Sequence, residues 1–178
     1  MALIKAFGPH RPDIAPDAYL ADYAVVIGDV QIGPQSSVWY HAVLRGDVGA
    51  IRIGARTNIQ DHAMLHCTTG RTPTLVGDDV VVGHRAILHG CRVDSEALIG
   101  MGAIVLDGAV VPSHCIVAAG ALVPENAQLE PGYLYAGVPA RKLKALSPQQ
   151  IAMIRAGAAH YVAGGVAHRD APRLDDSD

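Results

Sequence analysis

Three of the chain's nine histidines, His66, His84 and His89, stand close together in the sequence, and Arg45, Asp47, Asn58, Gln60 and Asp61 come shortly before them. Imidazole is the commonest side-chain ligand for metal ions, and zinc–nitrogen bonds of about 2.0–2.1 Å need ligand nitrogens only a little over 3 Å apart. Two histidines on neighbouring strands, about 4.8 Å apart, can therefore converge on one ion. Three neutral imidazoles leave such an ion dipositive, and with one coordination position open it lowers the pKa of a bound water from about 15.7 toward 7. The chemistry on offer is an activated water at neutral pH.

Whether these residues meet depends on what positions them. An aliphatic residue recurs every six positions through Ile14, Leu20, Val26, Ile32, Val38 and Leu44. After three extra residues the series resumes at Ile53, Ile59 and Leu65, and after five more at Val76, Val82 and Leu88. One residue is then skipped, and it runs from Val93 through Ile99, Val105, Val111, Val117, Val123 and Leu129 to Tyr135, the one member that is not aliphatic. Four residues past each usually comes a small one, as at Ala24, Ala42, Ala63, Ala86 and Ala103. A unit of one short strand and one bend cannot bury its apolar side alone, so the units must stack into a solenoid. The composition agrees: a chain 50% hydrophobic but only 4% aromatic suits a narrow interior of stacked aliphatics.

The six-residue pattern resembles the hexapeptide-repeat proteins, whose fold is a left-handed parallel β-helix; the three-sided coil and its hand are what that resemblance implies. The expected class is an all-β solenoid, a left-handed parallel β-helix of hexapeptide repeats with a C-terminal α-helix. Residues 1–13 form an N-terminal lead-in, 14–140 the β-helix, 147–163 the helix, and 168–178 a disordered acidic tail. Ser147, Pro148 and Gln150 make a strong helix start, Ile151, Ile154, Ala158 and Tyr161 share a face, and Gly164-Gly165 is read as the stop.

With three frames per coil, residues at the same place three frames apart lie one above the other. Leu44, Leu65 and Leu88 are such partners, so Arg45, His66 and His89, each one residue on, form an outward column on one face. Ile59 and Val82 are partners too, which puts Asp61 and His84 at the corner leading into that face, with Gln60 beside them pointing out of the coil. His84 lies around a corner from His66 and His89, so a neighbouring coil packed about a three-fold axis is better placed to supply it.

At these residues the sequence resembles the gamma-class carbonic anhydrases. The resemblance rests on Arg45-Gly46-Asp47, Ile53-Gly54, Thr57-Asn58-Ile59-Gln60-Asp61, His66, Gly83-His84-Arg85-Ala86-Ile87-Leu88-His89-Gly90 and the closing Gly137-Val138-Pro139-Ala140-Arg141. It implies a homotrimer with Zn2+, or Fe2+ or Co2+, at each subunit interface, held by His66 and His89 of one chain and His84 of another, hydrating CO2 reversibly to bicarbonate. It further implies an intersubunit ion pair of Arg45 with Asp47, Gln60 and Asp61 positioning water or bicarbonate, Asn58 in support, and Tyr161 near the metal, a role equalled by the packing of the terminal helix onto the coil. The chain departs from the prototype in the loop after His66, where Cys67-Thr68-Thr69-Gly70-Arg71-Thr72-Pro73-Thr74 carries no carboxylate to shuttle protons. His62 is a candidate substitute, and Cys67 reads as a small packing residue.

Other classes are weighed on the same residues. Hexapeptide-repeat acyltransferases share the coil but do not require three histidines arranged for a metal, so His66, His84 and His89 argue against that class. A thioesterase-like hydrolase or a metal-binding structural trimer would keep all three, and stays open. A net charge of −3 provides no footprint for nucleic acid or an anionic membrane. Apolar runs are too short to span a bilayer, the N-terminus lacks the features of a signal peptide, and three cysteines form no disulfide framework, so a cytoplasmic location is expected.

Overall fold

The computed structural model describes residues 1–172. The chain is a parallel β-solenoid of about seven turns with one C-terminal helix, the fold class expected from the repeat. Within the repeat, strand partners are three frames apart: Leu20 pairs with Val38, Leu44 with Leu65, Leu65 with Leu88, Ile59 with Val82 and Ile99 with Val117. The extra residues between Leu44 and Ile53 are absorbed by one long strand, Val43–Ile53, with a register shift where it passes Gly28–Val30, so the count of six resumes undisturbed.

The recurring aliphatics point inward. Val26, Val38, Leu44, Ile59, Leu65, Val82, Leu88, Val105, Val111, Val117 and Val123 have no exposed surface, and the alanines at the corners, such as Ala42, Ala63 and Ala86, are equally buried. The residue before most corner alanines takes a left-handed backbone, as at Tyr23, His41, His62 and Arg85 with φ between 59° and 64°. That conformation costs a non-glycine residue about 1–2 kcal/mol, and here stacking of equivalent corners imposes it. Tyr23, His41 and His62 are piled ring on ring at this corner, each pair with centroids 5.1 Å apart. The interior also holds the buried free thiols of Cys67, Cys91 and Cys115.

Two segments join the fold where none was expected. Leu3–Lys5, inside the N-terminal lead-in, pairs in parallel with Val25–Ile27, and Arg141–Ala145 folds back antiparallel on Tyr133–Ala136. Both are largely exposed, so neither shows the inward alternation by which the other strands were read.

Helix α1 spans Pro148–Asp170. Its start is the capping box read from Ser147 and Gln150: Gln150 N donates to Ser147 Oγ at 3.3 Å and Ser147 N to Gln150 Oε1 at 3.0 Å. Its end corrects the expected stop at 163, because the helix runs straight through Gly164-Gly165. The pair is there for close approach: a Cβ on Gly165 would lie 3.1 Å from Tyr19 Cβ, and one on Gly164 3.5 Å from the Trp39 ring. Beyond the pair, His168 Nδ1 hydrogen-bonds with Tyr40 Oη at 2.9 Å, and Arg169 donates to the carbonyls of Asp17 and Ala18. Residues 168–170 of the expected tail are thus helical, and 173–178 lie outside the described residues. The helix covers the face carrying Tyr19–Leu20, Ser37–Val38, Asn58–Ile59 and Val81–Val82, so Tyr19, Trp39 and Tyr161 sit between helix and coil, with Trp39 edge-on to both tyrosines. Among the described residues no helix is long and apolar enough to cross a membrane.

A side chain at 165 has no room, so Gly165→Leu is expected to lift the last two turns of α1 from the coil at a cost of about 1–3 kcal/mol. Amide hydrogen exchange checks this: protection should collapse in 162–170 and persist in the coil, and unchanged protection there would refute the packing argument.

Candidate metal centre

His66 and His89 end the paired strands Met64–His66 and Ile87–His89 and face each other in register. Because Leu65 and Leu88 point inward, alternation turns both imidazoles outward on the same face. His66 Nδ1 and His89 Nε2 are 3.1 Å apart. The far nitrogen of each ring rests on a carboxylate: His66 Nε2 is 3.0 Å from Asp47 Oδ1, and His89 Nδ1 is 3.1 Å from Asp107 Oδ2. An ionised carboxylate only accepts, so the far nitrogens carry the protons, and two neutral rings then direct their lone pairs at each other. A shared cation turns that repulsion into two bonds, and the separation suits two ligands of one ion. The chemistry of this donor pair therefore fits a divalent metal.

Arg45 stands on the same face and pairs with Asp47 within the chain, Nη1 to Oδ2 at 2.5 Å. Burial works to raise the Asp47 pKa, but hydrogen bonds from Arg45 and His66 and the Arg45 charge outweigh it and hold the carboxyl below its ordinary value. Burial holds the His66 imidazole below its ordinary value, against the pull of Asp47 and with help from the charges of Arg45 and His89. Both shifts favour a neutral, ligand-competent ring backed by an ionised acceptor.

The corner supplies a second group. His84 Nδ1 is 2.8 Å from Asp61 Oδ2, and the His84 side chain is 39% exposed, so its Nε2 is left for a partner outside this pair. Gln60, which points out of the coil, is only 4% exposed because α1 lies over that face; its Nε2 donates to Asn58 Oδ1 at 2.9 Å, and Asn58 Nδ2 to the Val80 carbonyl at 3.3 Å. Tyr161 is half-covered beside Trp39. Burial first, and then the Asp61 charge, raise its pKa, so its hydroxyl stays a donor. One chain thus holds two sets, Arg45–Asp47–His66–His89 on the face and Asn58–Gln60–Asp61–His84–Tyr161 at and beside the corner. Among the described residues no three His, Cys, Asp or Glu side chains are placed to share a metal.

Asp107 went unnoticed in the sequence. The signal was available: Leu88 pairs with Val105, so Asp107, two residues on, stacks over Gly90 beside His89. The short loop is also engaged. Thr68 Oγ1 donates to Asp107 Oδ2 at 3.0 Å, and Thr74 Oγ1 donates to the His66 carbonyl at 2.6 Å while accepting from Gly90 N at 2.8 Å. Cys67 is buried toward Thr74 and Ala50, away from the imidazoles.

The chain is similar to known proteins along most of its length. The chain is 46% identical over 149 residues to the probable carbonic anhydrase of Methanocaldococcus jannaschii, an alignment covering 84% of this chain and 93% of that one. It is 47% identical over 155 residues to the mitochondrial gamma carbonic anhydrase 1 of Arabidopsis thaliana, covering 84% of this chain but only 56% of the plant protein, so it spans little more than half that relative's length. Among solved structures, a hexapeptide transferase family protein from Anaplasma phagocytophilum superposes with a TM-score of 0.89 at 36% identity, over 93% of this chain and 97% of that one. No protein-family model matches the chain.

Proposed function

The chain belongs to the gamma carbonic anhydrase family, and from that premise we propose that it hydrates CO2 reversibly to bicarbonate, as a homotrimer, at a metal held by His66 and His89 of one subunit and the partner subunit's His84. The observation that carries the reading is the pair of imidazole nitrogens 3.1 Å apart, His66 Nδ1 and His89 Nε2, each ring backed by a carboxylate. Those three neutral imidazoles would hold Zn2+, or Fe2+ or Co2+, and the ion would supply a water acidic enough to ionise near neutral pH.

The remaining steps fall to the chain's own residues. Asp61 has one oxygen on His84 Nδ1, so it orients that ring while its other oxygen can accept a hydrogen bond from the reacting water and so aim it. Gln60 is anchored by Asn58 through one amide hydrogen, which leaves its second N–H to donate to an oxygen of CO2 or bicarbonate and its carbonyl to accept from the bicarbonate hydroxyl. Tyr161 keeps its hydroxyl proton and can donate to product. Arg45 and Asp47 lie beside the pair at the boundary we assign to the trimer, where Arg45 can exchange its in-chain carboxylate for the equivalent one across the interface. The loop of residues 67–74 has no carboxylate to carry the proton away, and exposed His62, next to Asp61, is the candidate for that transfer.

Two measurements on the purified protein test this: metal content by elemental analysis, then stopped-flow CO2 hydration with Zn2+, Co2+ and anaerobically loaded Fe2+. One metal per subunit with hydration above the buffer rate is expected. No metal rejects the site. Metal without hydration leaves the scaffold or the alternative hydrolase, and acetyl-coenzyme A turnover without metal moves the protein to the transferases its structural relatives are named for.

A further inference from the structure

We propose that Asp107 is a positioning residue of this centre, fixing the proton of His89 on Nδ1 and so aiming the Nε2 lone pair at the ion; the inference rests on the reading that His89 is a metal ligand. Asp107 is 8% exposed, and its Oδ2 accepts from both His89 Nδ1 and Thr68 Oγ1. Its Oδ1 is buried with no hydrogen-bond partner among the described residues. A buried carboxylate with one unsatisfied oxygen is costly, and an apolar residue would fill the same space without that cost. What an apolar residue would not do is hold the far side of an imidazole.

The surrounding chain is built to admit this carboxylate. Gly90, the residue after His89, has a left-handed backbone at φ +57°, and a Cβ there would collide with Asp107 Oδ1. The glycine that closes the Gly83–Gly90 motif is therefore the space in which Asp107 sits. Thr72 Oγ1 donates to the Gly90 carbonyl and Thr74 Oγ1 accepts from Gly90 N, so the loop lacking acids clamps the backbone on which His89 and its acceptor meet. Asp47 and Asp61 stand behind His66 and His84 in the same relation, but Asp47 is shared with Arg45 and Asp61 is half-exposed. Asp107 has the most enclosed hold of the three, and it comes from a turn that contributes no ligand.

The test uses the full chain with Asp107→Ala, Asp107→Asn and Thr68→Val. Zinc affinity is measured by competition with a chromophoric chelator, and the His89 tautomer by long-range proton–nitrogen correlation on metal-free protein. Loss of the carboxylate should weaken zinc roughly 10–100-fold, the range for outer-sphere partners of ligating histidines. Asp107→Ala should also move the metal-free ring from Nδ1–H toward Nε2–H. Asp107→Asn, whose amide oxygen still accepts, should keep the tautomer but lose affinity, and it serves if the alanine variant does not fold. Thr68→Val should show a smaller loss in the same direction. Wild-type zinc affinity and tautomer in both Asp107 variants would overturn the assignment. If the wild-type protein binds no zinc, the metal reading falls, and the tautomer still decides: a wild-type His89 already mixed between forms refutes the role of Asp107, and a fixed Nδ1–H lost in Asp107→Ala upholds it.

Discussion

Neither His84→Ala nor His66→Ala should hold metal alone, and subunits of the two variants refolded together should hold it again. Each variant removes one of the three proposed ligands, and each should lose at least about 100-fold in zinc affinity, beyond the roughly 10–100-fold attached to second-sphere groups. Neither change touches the interior, since both rings project from the coil, so the coil should fold as before. The restored binding is the sharper result. If one subunit gives His66 and His89 and the next gives His84, a His84→Ala chain beside a His66→Ala chain has one complete set between them. Random mixing of equal amounts should complete roughly one interface in four. Ligands drawn entirely from a single chain would leave every site in the mixture defective. Metal content of the separated and mixed preparations, read at equal subunit concentration, decides between the two.

The second large effect is structural and reaches the site through the backbone. Leu65→Ala is expected to lower stability by about 2–5 kcal/mol, because Leu65 is fully enclosed between Leu44 and Leu88 and the prism walls cannot collapse onto the space it leaves. In a solenoid each turn is held only by its neighbours, so the damage concentrates in the turns that carry His66 and His89. Guanidinium unfolding at fixed protein concentration gives the magnitude, the concentration being fixed because subunit association contributes to apparent stability. A loss under about 1 kcal/mol would mean that the interior repacks far more freely than stacked aliphatics allow.

How far the chain could be read in advance depends on where each residue stands relative to the period. Leu44, Leu65 and Leu88 reveal their register because insertions fall only between frames, so the adjacency of His66 and His89 follows from counting. Asp107 follows from the same count carried one turn further, and was missed because no motif contains it. Gly164-Gly165 misled because a glycine pair ends a helix or lets it lie close to a partner with equal economy of sequence, and only Tyr19 and Trp39 beneath it distinguish the two. Arg141–Ala145 was invisible since an exposed strand has no inward face to alternate. Gln60 follows the inward-facing Ile59 and is nonetheless buried, since α1 lies over that face and no local pattern tells which face the helix covers.

The three interior thiols give this architecture a built-in clock. Cys67, Cys91 and Cys115 occupy successive turns, all buried and unpaired, and full burial pushes the Cys91 thiol up to about 12. In the closed coil Cys91 is almost wholly in its inert protonated form, since only the thiolate reacts. An alkylating reagent in solution can therefore reach it only when its own turn parts from the next, and the rate at which each sulfur is consumed reports the breathing of the rung beside the histidine pair separately from that of the rungs further along.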